Sequence, residues 1–190
     1  MRYLAMTILA FSLVFSAFGA MPSMAAQEET RPDVINILTA RLATAATAEE
    51  ADEIAAALEA VYSESTSASA EALLSQTRLV VADGDATVAL YKLERALLLD
   101  EGLLEAYVLR GNVYLSMGEI EGAFSDAMEA VQRAPDYHAA LGLLARAFEL
   151  RGQTASALAT SRQALVYNPL SEELQAQLER HEAQAAGAGL

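Results

Sequence analysis

The feature of this sequence that most constrains its fold is a set of residues that recur at intervals of 34. Glycine recurs in this way at Gly84, Gly118 and Gly152. Alanine occupies two further columns with the same interval, Ala89, Ala123, Ala157 and Ala96, Ala130, Ala164. Several independent columns in one register indicate a repeating structural unit. Units this short cannot bury an apolar face alone, so we expect them to stack into a solenoid.

Each unit is predicted to be two antiparallel helices. The glycine at the fifteenth position ends the first helix where a positive φ is needed. Pro135 and Pro169 end the second helix of units two and three, whereas Glu101 stands at that place in unit one. Small residues at the eighth and twentieth positions, such as Gly111 and Ala123, would let the two helices approach closely.

This pattern resembles the tetratricopeptide repeat. The second unit matches it best, with Tyr107, Gly111, Tyr114, Gly118, Ala123, Ala130 and Pro135. The resemblance covers residues 70–171 as three units, 70–103, 104–137 and 138–171. It implies an all-α fold, an α-solenoid of three helix-turn-helix units.

Unit two departs from the family pattern in a way that predicts a contact. Arg110 stands at its seventh position, which is usually apolar, and Asp126 lies across the hairpin at the twenty-third. We therefore predict a partly shielded ion pair between Arg110 and Asp126, because a carboxylate offsets the cost of burying an arginine. Unit one departs at its eighth position, where Thr77 replaces a small residue.

The segment before the repeats, residues 27–69, is predicted to hold an acidic, degenerate helical hairpin. Residues 27–32 would be a linker and Asp33 would cap the first helix. Thr47 and Glu50 form a capping-box pattern before the second helix, and Ser69 would cap the helix after it. Shifting the repeat register back by 34 places this hairpin before unit one, so we expect it to pack there and cap the stack.

The segment after the repeats, residues 172–190, is predicted to be a capping helix with a frayed tail. Ser171 precedes Glu172 and Glu173, and acidic residues are favourable at a helix N-terminus. The polar outer face of this helix would solvate the end of the stack.

The first 26 residues have the layout of a secretory signal peptide. Arg2 precedes an apolar run from Tyr3 to Ala20, and small residues follow Pro22. Cleavage after Ala25 or after Ala26, which we prefer, would release the chain and predicts a location in the bacterial periplasm. The alternative is an uncleaved membrane anchor, because the run is only slightly shorter than a membrane span.

The charge of the chain excludes some partners. Its net charge is −14, and it would be −15 without residues 1–26, which contain Arg2 and no acidic residue. A chain this acidic is unsuited to binding nucleic acid or anionic lipid through its net charge. Much of the negative charge falls in residues 27–69, which form either a solvated face or a docking surface for a basic partner.

In the tetratricopeptide family the first helices of successive units line a groove, and ligand contacts come largely from four positions of each helix. The resemblance therefore implies a partner-binding surface that includes Leu74, Arg78, Val81, Val108, Asn112, Leu115, Arg146 and Glu149. The second position holds Glu71, Glu105 and Ala139. The ninth position holds Arg78, Asn112 and Arg146, which would form a polar ladder. Two aligned arginines in an acidic chain suggest a site for a carboxylate.

Two alternatives to partner binding remain open for this groove. Arg78 and Arg146 could pair with neighbouring acids such as Glu105 or Glu149 and bind nothing. The N-terminal hairpin could also fill the groove as internal packing, because the apolar groove residues suit an amphipathic helix.

The sequence gives little support for catalysis, so we expect a protein that is not an enzyme. His138 and His181 belong to different elements, with His181 near the frayed end, and neither has metal-ligand spacing. The chain has no cysteine and no phosphate-binding glycine motif. No cofactor or metal is implied.

The layout as a whole looks like periplasmic tetratricopeptide proteins of alphaproteobacteria. That resemblance implies a scaffold or adaptor of the cell envelope that binds a protein or peptide segment. Two alternatives are a membrane-tethered assembly factor, if residues 1–26 persist, and a subunit whose partner supplies the chemistry.

The first testable prediction concerns cleavage of the signal peptide. The mature protein purified from its own host should begin at Gln27, because processing after Ala26 removes residues 1–26. Intact mass spectrometry measures this directly. A mass that retains residues 1–26 would contradict the prediction and favour the anchor.

Overall fold

The repeating pattern produces a series of antiparallel helices. A computed structural model describes residues 30–188, so the predicted signal peptide lies outside the described residues. The helices between residues 30 and 188 are α1 Arg31–Leu42, α2 Ala48–Tyr62, α3 Ala68–Ala82, α4 Ala86–Leu99, α5 Leu104–Met117, α6 Ile120–Arg133, α7 His138–Leu150, α8 Thr154–Tyr167 and α9 Glu172–Ala188. None of these helices is long and apolar enough to cross a membrane.

The turn inside each repeat uses the glycine that the sequence places there. Gly84, Gly118 and Gly152 have φ values of 80°, 80° and 72°, in the left-handed region that favours glycine. The prediction of a positive φ at the fifteenth position is therefore confirmed. Pro135 and Pro169 follow the ends of α6 and α8, where a proline cannot continue the helix.

The alanine columns lie between helices that pack closely together. Their six members are each 0 % exposed: Ala89, Ala96, Ala123, Ala130, Ala157 and Ala164. Gly111 makes an even closer contact with the next unit, because a Cβ added there would lie 2.4 Å from Leu143 Cδ2. Small side chains at these points bring neighbouring helices near enough for the surrounding larger residues to interdigitate.

Thr77 is accommodated in unit one although its column favours a smaller residue. Its side chain is 0 % exposed, and its hydroxyl donates a hydrogen bond of 2.8 Å to the Leu73 carbonyl oxygen. This bond within α3 satisfies the buried hydroxyl, which explains how a polar side chain fits at an interhelical contact.

The ends of the flanking helices differ in part from the sequence prediction. Arg31 already belongs to α1, and Asp33 lies inside the first turn, where its carboxylate accepts hydrogen bonds from the Thr30 amide and hydroxyl. The prediction that Asp33 caps α1 was therefore wrong, because Thr30 is the N-cap. The prediction that Ser69 caps α3 was also wrong, because the Ser67 hydroxyl caps this helix. The Thr47–Glu50 cap is confirmed by a 3.1 Å hydrogen bond from the Glu50 amide to the Thr47 hydroxyl oxygen.

The hairpin formed by α1 and α2 does not cap unit one as expected, so that prediction was wrong. Its apolar core contacts lie in units two and three instead. On the hairpin side the core residues are Leu42, Ala51, Ile54, Leu58 and Tyr62, and on the repeat side Leu104, Val108, Ala130, Ala134, Tyr137 and Ala140. The large side chains of α2 suit this broad surface better than a close contact between repeats, which needs small residues.

The last helix covers the end of the repeats. α9 packs mainly on α8, and it also contacts α7. The Leu174 amide donates a 3.3 Å hydrogen bond to the Ser171 hydroxyl oxygen, which supports the start of the helix. His181 is 0 % exposed against α8, so its predicted place near a frayed end was wrong. α9 continues well beyond it, to Ala188.

Gly111→Ala is predicted to destabilise the protein by about 1–2 kcal/mol. The added methyl group would collide with Leu143, which is 2 % exposed and cannot move into solvent, and overpacking typically costs about 1–3 kcal/mol. The better helix propensity of alanine offsets part of this cost. Urea denaturation followed by circular dichroism measures the change.

Gly187→Ala is the matched control, since a Cβ there meets nothing within 4 Å. The prediction fails if Gly111→Ala leaves the free energy of unfolding unchanged or raises it.

Candidate partner-binding groove

The first helices of units two and three, α5 and α7, lie side by side and carry most of the predicted site residues. α5 contacts α7, and α9 follows α7 in the place that the first helix of a fourth unit would take. Asn112 on α5 and Arg146 on α7 come together, with Arg146 Nη1 donating a 3.0 Å hydrogen bond to Asn112 Oδ1. Two members of the predicted ladder thus form one polar pair.

The Asn112–Arg146 pair lines a cleft of about 160 Å³ between α5, α7 and α9. The other polar side chains of the cleft are His138 at the start of α7 and three from α9 and the residue before it, Ser171, Glu173 and Gln177. Gln177 is 1 % exposed and donates a 2.9 Å hydrogen bond to the Gly142 carbonyl oxygen. Gly142 lets α9 come close, because a Cβ there would lie 2.9 Å from Leu174 Cδ2.

Arg78 lies apart from this pair and contacts the N-terminal hairpin. Its Nη2 is 2.6 Å from Glu59 Oε1 and 3.0 Å from the Ser63 hydroxyl, both in the segment that docks on the repeats. It is also 3.7 Å from Glu105 Oε1. The predicted ladder is therefore not continuous, because Asn112 and Arg146 form a pair and Arg78 stands apart. Arg78 lies close to Glu105, as the alternative to ligand binding predicted.

The four predicted apolar residues differ in accessibility. Leu74 and Val108 are 1 % and 5 % exposed, so the described surface offers almost nothing of either to a partner. Val81 is 41 % exposed and Leu115 is partly buried. Val81 lines a second cleft, of about 360 Å³, whose polar edge is Asn112. The accessible apolar surface of the groove therefore comes mostly from α3 and the last turns of α5.

Glu149 does not bind Arg146 but belongs to a polar cluster beneath α9. Its carboxylate accepts a 2.6 Å hydrogen bond from Gln184, and Oε2 lies 3.1 Å from His181 Nε2. Desolvation raises the pKa of Glu149, but its contacts with His181 and Gln184 outweigh this and lower the pKa below its ordinary value. Glu149 therefore binds side chains of α9, and these contacts compete with binding to a partner.

The same cluster brings a serine beside a histidine, which the sequence did not indicate. Ser161 Oγ is 2.8 Å from His181 Nδ1, on the opposite side of the ring from Glu149. The three residues are far apart in sequence and match no motif, so only packing could reveal them. Ser161 and His181 are both 0 % exposed, so no substrate reaches the hydroxyl in this arrangement. We assign the cluster to the packing of α9.

A buried acid, Glu105, contacts two repeat residues that meet the hairpin, Tyr137 and Arg78. It is 4 % exposed and accepts a hydrogen bond from the Tyr137 hydroxyl, and the ring of Tyr137 stacks on Tyr62 of α2 at 4.2 Å. Burial raises the pKa of Glu105 to about 7, despite the hydrogen bond from Tyr137 and the positive charge of Arg78. Sequence reasoning placed Glu105 at a groove position but did not predict its burial.

The predicted pair between Arg110 and Asp126 is confirmed. The two side chains form a bidentate contact, with hydrogen bonds of 2.8 Å from Nε and 2.7 Å from Nη2 to the two carboxylate oxygens. This geometry is the strong form of an arginine–carboxylate interaction. It joins the two helices of unit two and leaves Arg110 unavailable to a partner.

Among residues 30–188 no three histidine or acidic side chains cluster in a way that could hold a metal ion.

No protein-family model matches the sequence. No curated protein matches it either. The solved structure of MamA from AMB-1 is similar, with a TM-score of 0.52 and 16 % identity over 82 % of each chain. This likeness confirms the fold as a tetratricopeptide-type helical solenoid.

Glu105→Gln is predicted to remove a pH dependence of stability. Folded Glu105 holds a proton up to about pH 7, whereas the unfolded chain releases it near the ordinary pKa of 4.5. The folded state therefore binds more protons between these values, and stability from this group is lost as pH rises through the window. Relative to the variant, the wild type should lose on the order of 2 kcal/mol between pH 4.5 and 8.

Urea denaturation of both proteins across this pH range measures the difference. Burial lowers the pKa of His138 to about 4, so His138 changes stability in the opposite direction. That contribution is common to both proteins and cancels in the difference. Parallel pH profiles for wild type and variant would contradict the prediction.

Proposed function

We propose that this protein is a non-catalytic interaction scaffold that binds a protein or peptide segment in the cleft between α5, α7 and α9. Tetratricopeptide-type solenoids present extended concave surfaces to partners, and the fold supports the same use here. Fold alone does not identify a function, so the proposal rests on the chemistry of the cleft around Arg146.

The observation that carries the proposal is that Arg146 contacts no carboxylate within the described residues. Six arginines between residues 30 and 188 lie within 4.0 Å of a carboxylate oxygen: Arg31, Arg78, Arg110, Arg133, Arg151 and Arg162. Arg146 makes no such contact within the described residues, and neither do Arg41, Arg95 and Arg180. Unlike these three exposed residues, Arg146 is partly buried and donates to the neutral amide oxygen of Asn112. A partly buried guanidinium held in this way keeps further donors for an incoming carboxylate.

The surroundings of Arg146 favour an extended acidic segment as the ligand. A carboxylate from an aspartate, a glutamate or a chain terminus would bind Arg146 and the free amide of Asn112. Asn112 also borders the larger cleft, where Val81 and Leu109 would accept an apolar side chain of the same segment. The small volume beside Arg146 suits one carboxylate rather than a folded surface.

The location that we propose is the bacterial periplasm, on the basis of the signal-like layout of residues 1–26. The partner would then be another envelope protein, as the resemblance to periplasmic repeat proteins of alphaproteobacteria implies. A chain that kept residues 1–26 would act as a membrane-tethered assembly factor. The cleft would bind its ligand in the same way in both cases.

Arg146→Ala is predicted to weaken binding of acidic peptides by about ten-fold or more. Loss of a charge-assisted hydrogen bond typically costs about 1.5–3 kcal/mol, and each 1.4 kcal/mol is a factor of ten. Peptides selected from a displayed random library on the wild-type protein should carry a carboxylate, and fluorescence anisotropy would give their Kd for both proteins.

Arg180→Ala is the matched control, because it removes the same charge from an exposed position on α9. This variant should bind the selected peptides like the wild type. Equal weakening by the two variants would show that binding depends on net charge and not on the cleft, and the proposed site would be wrong.

A further inference from the structure

The hairpin of α1 and α2 already occupies part of the surface on which a tetratricopeptide-type fold receives ligands. Side chains of α2 meet the first turns of α5 and α7, and Ala139 of α7 lines a small cleft with Ala55, Ala56 and Glu59 of α2. Val108 and Ala139 stand at positions that the family pattern assigns to ligand contact. An amphipathic helix thus lies where a partner helix would lie.

The side chains of α2 bind this surface as the anchors of a helical ligand do. Ile54, Leu58 and Tyr62 follow one another at intervals of four and are 4 %, 2 % and 2 % exposed. Beside them, Glu59 binds Arg78 and Tyr62 stacks on Tyr137. Apolar anchors on one face with a flanking carboxylate are the chemistry of helix-in-groove recognition.

The hairpin is attached to the repeats by side chains of α2 and not by the close helix packing that joins neighbouring repeats. The side chains of its ion pair, Arg78 and Glu59, are 40 % and 47 % exposed, and exposed pairs contribute little. Residues 63–67, Ser-Glu-Ser-Thr-Ser, connect it to α3 without an apolar side chain. Such a connection suits a segment that can leave its site.

We propose that α2 is an internal ligand, and that the surface beneath it is a second docking site for an amphipathic helix of a partner protein. The partner helix would present large apolar residues at intervals of four and a carboxylate next to the middle one, as Ile54, Leu58, Glu59 and Tyr62 do. Binding of the partner requires displacement of the hairpin, so docking of the hairpin lowers the apparent affinity for the partner helix. The docking surface beneath α2 adjoins the Asn112–Arg146 cleft, which Val108 and Ala139 also line, but it does not include Asn112 or Arg146, so the inference goes beyond the proposed function.

The test uses a fluorescent peptide of residues 46–63 as the probe and the whole chain as the receptor. Because the chain has no cysteine, Ala56→Cys with Ala139→Cys allows the hairpin to be locked by a bifunctional methanethiosulfonate linker, whose disulfides are cleaved by reduction to leave only the two cysteines. The locked protein should not bind the peptide, and reduction of the same sample should restore binding. This comparison separates displacement from adhesion of the peptide elsewhere.

Glu59→Ala provides the second arm, because it weakens the hairpin but leaves the repeat surface intact. Loss of an exposed ion pair should tighten binding of the wild-type peptide by about two- to five-fold. Glu53→Ala is the matched control, since Glu53 is exposed on the same helix and makes no ion pair within the described residues. A peptide carrying Glu59→Gln should bind more weakly than the wild-type peptide.

Equal binding to locked and reduced protein would overturn the proposal, as would no binding to any unlocked protein at about 1 mM peptide. Arg146→Ala should not change binding of this peptide. The two sites can therefore fail independently of each other, and circular dichroism confirms that each variant retains its helices.

Discussion

Close packing of neighbouring helices at small residues is the constraint on which the rest of this structure depends. Alanine side chains with no exposed surface lie between the helices of each unit, and Gly111 brings α5 against Leu143 of the next unit. At such distances each helix fixes the position and rotation of the next. The groove side chains are therefore placed by backbones that have little freedom, and Arg146 meets Asn112 because α7 packs against α5.

The same constraint explains why the N-terminal hairpin does not act as a further repeat. Its helix α2 carries Ile54, Leu58 and Tyr62, whose bulk would keep a neighbouring helix at a distance. These side chains instead cover a broad surface around Tyr137. The hairpin is consequently attached by large apolar residues and a partly exposed ion pair. It lies on the surface of the repeats and does not continue their stack.

Sequence periodicity could predict the repeats because each column corresponds to a local requirement. A positive φ at Gly118, a helix end before Pro135 and a partner for Arg110 follow from the residue and its register alone. The docking of α2 and the burial of Glu105 and His181 depend on elements that are distant in sequence and share no period. Only the packed structure defines them, so the register placed Glu105 at a groove position without showing that it is buried.

Arg78 and Arg146 show most clearly how context decides the role of a repeated position. Both occupy the ninth position of a unit, yet Arg78 lies beside Glu59 and Glu105, whereas Arg146 meets a neutral amide. The carboxylate near Arg78 comes from the chain itself, and the electrostatic attraction that could bind a ligand there stabilises the docked hairpin. At Arg146 no described acid takes that place within 4.0 Å, so the same interaction is available to another molecule. The register repeats the arginine, but the N-terminal hairpin determines which of the two is open to a partner.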